Sequence, residues 1–162
     1  MKTDLKTARQ TLKAESRAYQ VYSYYLAIPI LFIGTMIVTY FGYSNNSIGV
    51  VILVLTIFAH VGASKLKLAS KRKYVAPILM YIANVIALVL MPVLFSDMSA
   101  GGNGDSYFAL IGLIVVPIEI ITIIFFFISA HDLKKAYPTM KQDTKQARET
   151  YKQLKQTSKL NS

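Results

Sequence analysis

From Tyr107 to Ser129 the chain runs for 23 residues with one acid, Glu119, and no base. Sixteen of the residues between Phe108 and Ile128 are Leu, Ile, Val or Phe, and they lack the alternation of a half-buried strand. At 1.5 Å per residue a helix of this length crosses a bilayer core of roughly 30 Å. On the membrane-insertion scale those apolar residues favour the bilayer by roughly 5–10 kcal/mol, and an acid at the centre costs about 3 kcal/mol. Insertion wins, and Glu119 is carried to mid-depth, two residues past Pro117.

Three more blocks of the same kind precede it. Val21–Tyr43 carries tyrosines at both ends, as the aromatic belts of two membrane interfaces do. Pro29 lies inside it. Ser44-Asn45-Asn46-Ser47 reads as a tight polar turn, and Ile48–Ser64 follows as the shortest block. Val75–Phe95 holds Pro77 near its start and Pro92 near its end. Composition agrees: 54% hydrophobic residues against 16% charged, with mean hydropathy +0.42, is too apolar for a soluble domain. The expected fold is all-α, an integral membrane protein of one domain. Its four transmembrane helices cover about 21–43, 48–64, 75–95 and 107–129 within a domain 21–130. An N-terminal arm (1–20) and a C-terminal tail (131–162) form short basic extensions, helical or disordered.

Charge sets the threading. The arm holds five basic residues, the loop Lys65–Tyr74 five and the tail eight, which accounts for all 18 in the chain. The two remaining connections contain no Lys or Arg. By the positive-inside rule the arm, the middle loop and the tail are cytoplasmic, in the cell membrane. The arm does not read as a signal peptide, because its charged region and the block after it are both long and no small-residue cleavage site follows. Leu5, Ala8, Leu12 and Tyr19 make a thin apolar stripe on the arm, and Met140, Ala147, Tyr151 and Leu154 make another on the tail. Segments this thinly apolar and this basic are expected to gain helix on an anionic lipid surface. The openings Tyr25–Leu31 and Tyr74–Leu79 resemble each other weakly, as duplicated hairpins would.

Thr35, Thr56, Asn84 and Glu119 fall near mid-depth, one from each block, as an intramembrane polar layer. Glu119 shares a helical face with Ala109, Gly112, Val116 and Thr122, where small residues permit close packing. Asn84 is its expected hydrogen-bond partner. Desolvation favours the neutral form of such an acid. Intramembrane acids also mark ion and proton paths, so the residue reads either as a packing group or as a coupling site. His60 is a candidate proton relay. Lys65, Lys67, Lys71, Arg72 and Lys73 suit anionic lipid headgroups.

No catalytic residue is expected. The chain has no cysteine and two histidines, and its carboxylates are scattered, so thiol chemistry is excluded and no metal site or cofactor is expected. Asp97 and Asp105 flank a glycine-rich loop whose spacing does not match a calcium loop. No Gly-x-Ser-x-Gly, phosphate-binding loop or His-Glu-x-x-His occurs. The basic segments lack an aromatic platform, so nucleic acid is not an expected partner. The chain reads as a small multi-pass protein that is not an enzyme. It would act through protein or lipid contacts, as an accessory, envelope or immunity-type protein. Its partners would be the bilayer, a membrane protein or further copies of itself. The alternative is a small oligomeric transporter or channel coupled through Glu119.

Overall fold

The computed structural model describes residues 2–43 and 46–160, and every regular element among them is helical. Helix α1 runs Lys2–Tyr40, α2 Asn46–Ser64 and α3 Val75–Ser99, with a short 3₁₀ turn at Lys71–Tyr74. The fourth apolar block is α4 (Asp105–Leu110), a π-helical turn (Ile111–Val115) and α5 (Val116–Ala136), and α6 spans Met140–Leu160. Four stretches are long and apolar enough to cross a membrane: Asp4–Tyr40, Ser47–Ser64, Lys71–Ser99 and Asp105–Ala136. By composition this is a multi-pass membrane protein. Ser44 and Asn45, half of the expected polar turn, lie outside the described residues.

The basic arm and the first apolar block are one helix of 39 residues, about 58 Å long. Nothing in residues 2–28 is Gly or Pro, and Lys, Arg, Gln, Ala and Leu are good helix formers, so no local signal ends the helix where polarity changes. Pro29 is fully buried, which places the backbone carbonyl it deprives of a donor among neighbouring helices rather than lipid. Pro77 sits in the first turn of α3, where its missing amide would be unpaired in any case. Pro117 acts differently. Its ring cannot donate to Leu113 and crowds that carbonyl. The preceding turn widens, and the Val116 amide reaches back five residues to the Ile111 carbonyl.

Helix α1 packs against α2 on one side and α5 on the other, and α3 packs mainly against α5. The buried core lies toward the end of the bundle that carries the arm, the loop 65–74 and the tail. There Val21, Tyr25 and Ile28 of α1 meet Ala59 and Ala63 of α2, Ala76 and Met80 of α3, and Phe126, Ala130 and Leu133 of α5. Small residues bring α2 close: a Cβ on Gly62 would stand 2.5 Å from Val21 Cγ2. Toward the other end the helices present their apolar side chains outward. Ile37, Val50, Leu88, Val89 and Phe108 are exposed, and Leu113 is 75% exposed. Such a surface is untenable in water and is what hydrocarbon solvates. At that far end Gly101 and Gly104 take φ of +82° each, and the Asp97 carboxylate accepts the Ser106 amide at 3.2 Å, tying the loop to the start of α4.

Candidate functional site

Three of the four residues expected to form a polar layer, Thr35, Thr56 and Asn84, satisfy themselves within their own helices, as does Thr122. The hydroxyls of Thr35, Thr56 and Thr122 donate to the carbonyls of Leu31, Ile52 and Ile118 at 2.8, 2.8 and 2.7 Å. The Asn84 side-chain amide donates to the Met80 carbonyl at 2.8 Å. The expected Asn84–Glu119 bond is therefore not formed. In apolar surroundings the carbonyl four residues back is the acceptor already within reach, and the amide takes it. Glu119 is half-buried beside the π turn and makes no hydrogen bond among the described residues. Gly112 has open space around it rather than a neighbouring helix, so it does not provide the close packing expected of it. His60 lies between two rings, its centroid 5.7 Å from Tyr74 and 5.7 Å from Tyr81, stacked on the latter at 18°.

Polar contacts converge instead on the loop 65–74. The Tyr25 hydroxyl, buried in α1, donates to the Lys73 carbonyl, and its ring meets Phe126 edge-on at 5.2 Å. The Ser129 hydroxyl of α5 donates to the Arg72 carbonyl at 3.2 Å. The Leu68 amide donates to the Tyr137 hydroxyl at 3.2 Å. Ser70 caps the 3₁₀ turn by accepting the Arg72 amide at 3.3 Å. Lys73 is only 7% exposed: its ammonium donates to the Leu66 carbonyl and lies 5.1 Å from the Tyr74 ring centroid. That corrects its place among the candidate lipid contacts, because its charge is spent on closing the loop. Lys65, Lys67, Lys71 and Arg72 remain exposed.

Beyond the loop, α6 folds back along the first turns of α1. The Thr144 hydroxyl donates to the Met140 carbonyl at 2.6 Å and leans toward the Glu15 carbonyl at 3.4 Å. A groove of about 630 Å³ on one side of the pair is lined from Asp4 to Glu15 on α1 and from Asp143 to Leu154 on α6. Glu15 opposite Thr144, with Asp4 and Leu154 at the far end, makes the pair antiparallel. The two thin stripes read from the sequence face each other: Leu5, Ala8 and Leu12 are half-buried against Ala147, Tyr151 and Leu154, and Met140 and Thr144 are buried nearest the bundle. Of the two forms expected for the basic extensions, helical or disordered, the structure has the helical one, and the two helices pair as a hairpin. Each stripe alone buries too little apolar surface to order a helix in water, and together they make a seam.

No protein-family model, curated protein or solved structure matches this chain. Two features escaped the sequence reading. Tyr25 reads there as one of three interfacial tyrosines, and only its burial separates it from Tyr22 and Tyr24. Lys73 reads as one of five loop cations. Its place directly before the aromatic and apolar start of the next block was the one available sign. Among the described residues no group of three or more His, Cys, Asp or Glu is placed to hold a metal ion.

Proposed function

We propose that this is a cell-membrane protein with both termini in the cytoplasm, acting without catalysis as a membrane-anchored contact protein. The observation that carries this reading is the hairpin. It continues the first apolar helix without a break, is buttressed at its base by buried Ser16, Ala18, Met140 and Thr144, and stands beside the hydrogen-bonded loop 65–74. A two-helix projection held this firmly has the build of a docking element, with the four apolar helices as its anchor. The cytoplasmic assignment follows from the 18 basic residues gathered at that end. Lys65, Lys67, Lys71 and Arg72 at the hairpin's base would face anionic headgroups, each contributing about 1 kcal/mol near such a surface.

One observation favours the transport alternative: Glu119 is an acid with no hydrogen-bond partner among the described residues, beside a π turn. Proteoliposomes loaded with a pH-sensitive dye, or with cation indicators, separate the two. On the contact reading, wild type and Glu119→Gln show the same flux as empty vesicles. Both also co-purify from mild detergent with the same membrane partner, whereas Ala147→Pro, which breaks α6, inserts but loses it. Proton or cation flux present in wild type and absent in Glu119→Gln would overturn the contact reading in favour of coupling at Glu119.

A further inference from the structure

The hairpin has two unlike faces, and the order of residues along each helix creates them. On α1 the seam residues Leu5, Ala8, Leu12 and Ser16 are each followed at once by a cation: Lys6, Arg9, Lys13 and Arg17. On α6 the seam residues Met140, Thr144, Ala147, Tyr151 and Leu154 are followed by Lys141, Lys145, Arg148, Lys152 and Lys155. One residue advances a helix by about 100°. In an antiparallel pair, a step of one residue from the seam leads to the same side on both helices. In a parallel pair it would lead to opposite sides. The groove verifies this geometry from the other direction. Its lining includes Thr7, Thr11 and Glu15 on α1 and Asp143, Gln146 and Thr150 on α6, residues that directly precede seam positions on both helices. The rows that follow the seam therefore share the opposite face.

That face carries nine cations, all exposed apart from half-exposed Arg17. Glu149 stands at its edge as the one acid near them, and none of the nine is ion-paired within the described residues. The cations form two antiparallel rows. Along each row neighbours are three or four residues apart, a rise of about 5–6 Å. The rows are separated by about one helix-packing distance plus side chains. Between them the floor is the seam, narrowed by Ala8, Ser16, Thr144 and Ala147. Because α1 runs unbroken from the apolar bundle into the hairpin, this double row would, in the orientation proposed above, project away from the bilayer with only its base reaching lipid.

We propose that this face is the docking site for an acidic amphipathic helix of a partner protein. A helix about 10–12 Å across fits between two rows at this separation. Its own Asp or Glu residues, recurring every three or four positions on each flank, repeat at the same 5–6 Å as the cations. The small floor residues let it approach closely and complete a three-helix bundle. Its charge supplies what the hairpin lacks. The two described rows hold no aromatic residue and Tyr151 in the seam is half-buried, which disfavours single-stranded nucleic acid as the occupant.

The inference rests on the contact reading above. The test uses the full chain in neutral phosphatidylcholine nanodiscs and a labelled helical peptide of about 20 residues with Glu confined to one face. The peptide is expected to bind, and to bind more weakly as salt is raised. The combined variant Lys145→Gln, Arg148→Gln, Lys152→Gln, Lys155→Gln loses about tenfold or more in affinity. Replacing the three lysines with Arg preserves binding, and so does Gln146→Ala with Thr150→Ala on the groove side. Circular dichroism confirms that each variant keeps its helix content. A scrambled peptide of the same composition binding as tightly would overturn the proposal, as would a short DNA duplex binding more tightly than the peptide. Loss of peptide binding in nanodiscs containing phosphatidylserine would assign the face to the bilayer instead. The two readings fail separately. Flux through Glu119 removes the contact reading whatever the peptide does. A partner still held by the neutralised variant removes only this docking face.

Discussion

At the scale of single residues, the loop 65–74 shows how one hydrogen bond decides a local structure. Tyr25 and Phe126 pack edge-on, and the Tyr25 hydroxyl closes on the Lys73 carbonyl. Tyr25→Phe keeps the ring and deletes the donor, leaving a buried carbonyl short of a partner. A loss of about 1–2 kcal/mol is expected, read as a lower melting temperature in detergent. The chain has no Trp, so far-ultraviolet circular dichroism is the suitable signal. Lys73 gives a paired prediction. Lys73→Met leaves the Leu66 carbonyl without its ammonium donor and should destabilise by about 1–3 kcal/mol. Lys71→Met, at an exposed neighbour, should stay within about 0.5 kcal/mol of wild type. Equal effects from the two substitutions would mean that Lys73 is as solvated as Lys71.

Among the elements, the pairing of α1 with α6 is the one with most consequence. Neither α6 nor the first turns of α1 have a strong apolar face; each has a thin row of apolar and small polar residues with cations along one flank. The pair is antiparallel because α1 runs from it into the bundle while α6, after the short turn at Pro138, runs out of the bundle beside it, from Thr144 opposite Glu15 to Leu154 near Asp4. The absence of cysteine makes this directly testable. In isolated membranes, Glu15→Cys with Thr144→Cys should join efficiently with a short bifunctional thiol reagent, since the Thr144 hydroxyl lies 3.4 Å from the Glu15 carbonyl. Glu15→Cys with Ser158→Cys, at opposite ends of the seam, should not. Cross-linking of the second pair in preference to the first would reverse the hairpin.

For the whole molecule the governing fact is its polarity. One end is packed and hydrogen-bonded, and the arm, the loop 65–74 and the tail that hold all 18 basic residues of the sequence join it; toward the other end the helices turn their apolar side chains outward. On the proposed orientation, with that basic end in the cytoplasm, a reporter active only outside it should give a signal when inserted at Gly102 and stay silent when fused to the C-terminus. Silence at Gly102 together with a signal at the C-terminus would invert the protein. Gly102 itself is a site for insertion rather than replacement, because a Cβ there would stand 2.6 Å from the Asp97 carboxylate and 3.0 Å from its carbonyl.

The helical class and the four apolar stretches are written locally, and the structure has both. A run of about 20 apolar residues has one economical way to satisfy its backbone in hydrocarbon, and it needs no knowledge of its neighbours. Even the disturbance at Pro117 was legible, since a missing amide acts on the carbonyl four residues back; that the turn would widen into a π helix was not. Pairing across distance was illegible. The Thr144 and Glu15 contact joins residues 129 apart in the chain, and a thin stripe on a basic helix states only that it needs cover, not what provides it. The same limit applies to the candidate site. Sequence places Asn84 and Glu119 at one depth, but which way each side chain turns depends on helix rotation and on competition from the nearest carbonyl. Tertiary packing alone decided that Lys73 is buried while Lys71 is not and that two rows of cations share one face, because each depends on how helices are turned about their axes relative to one another.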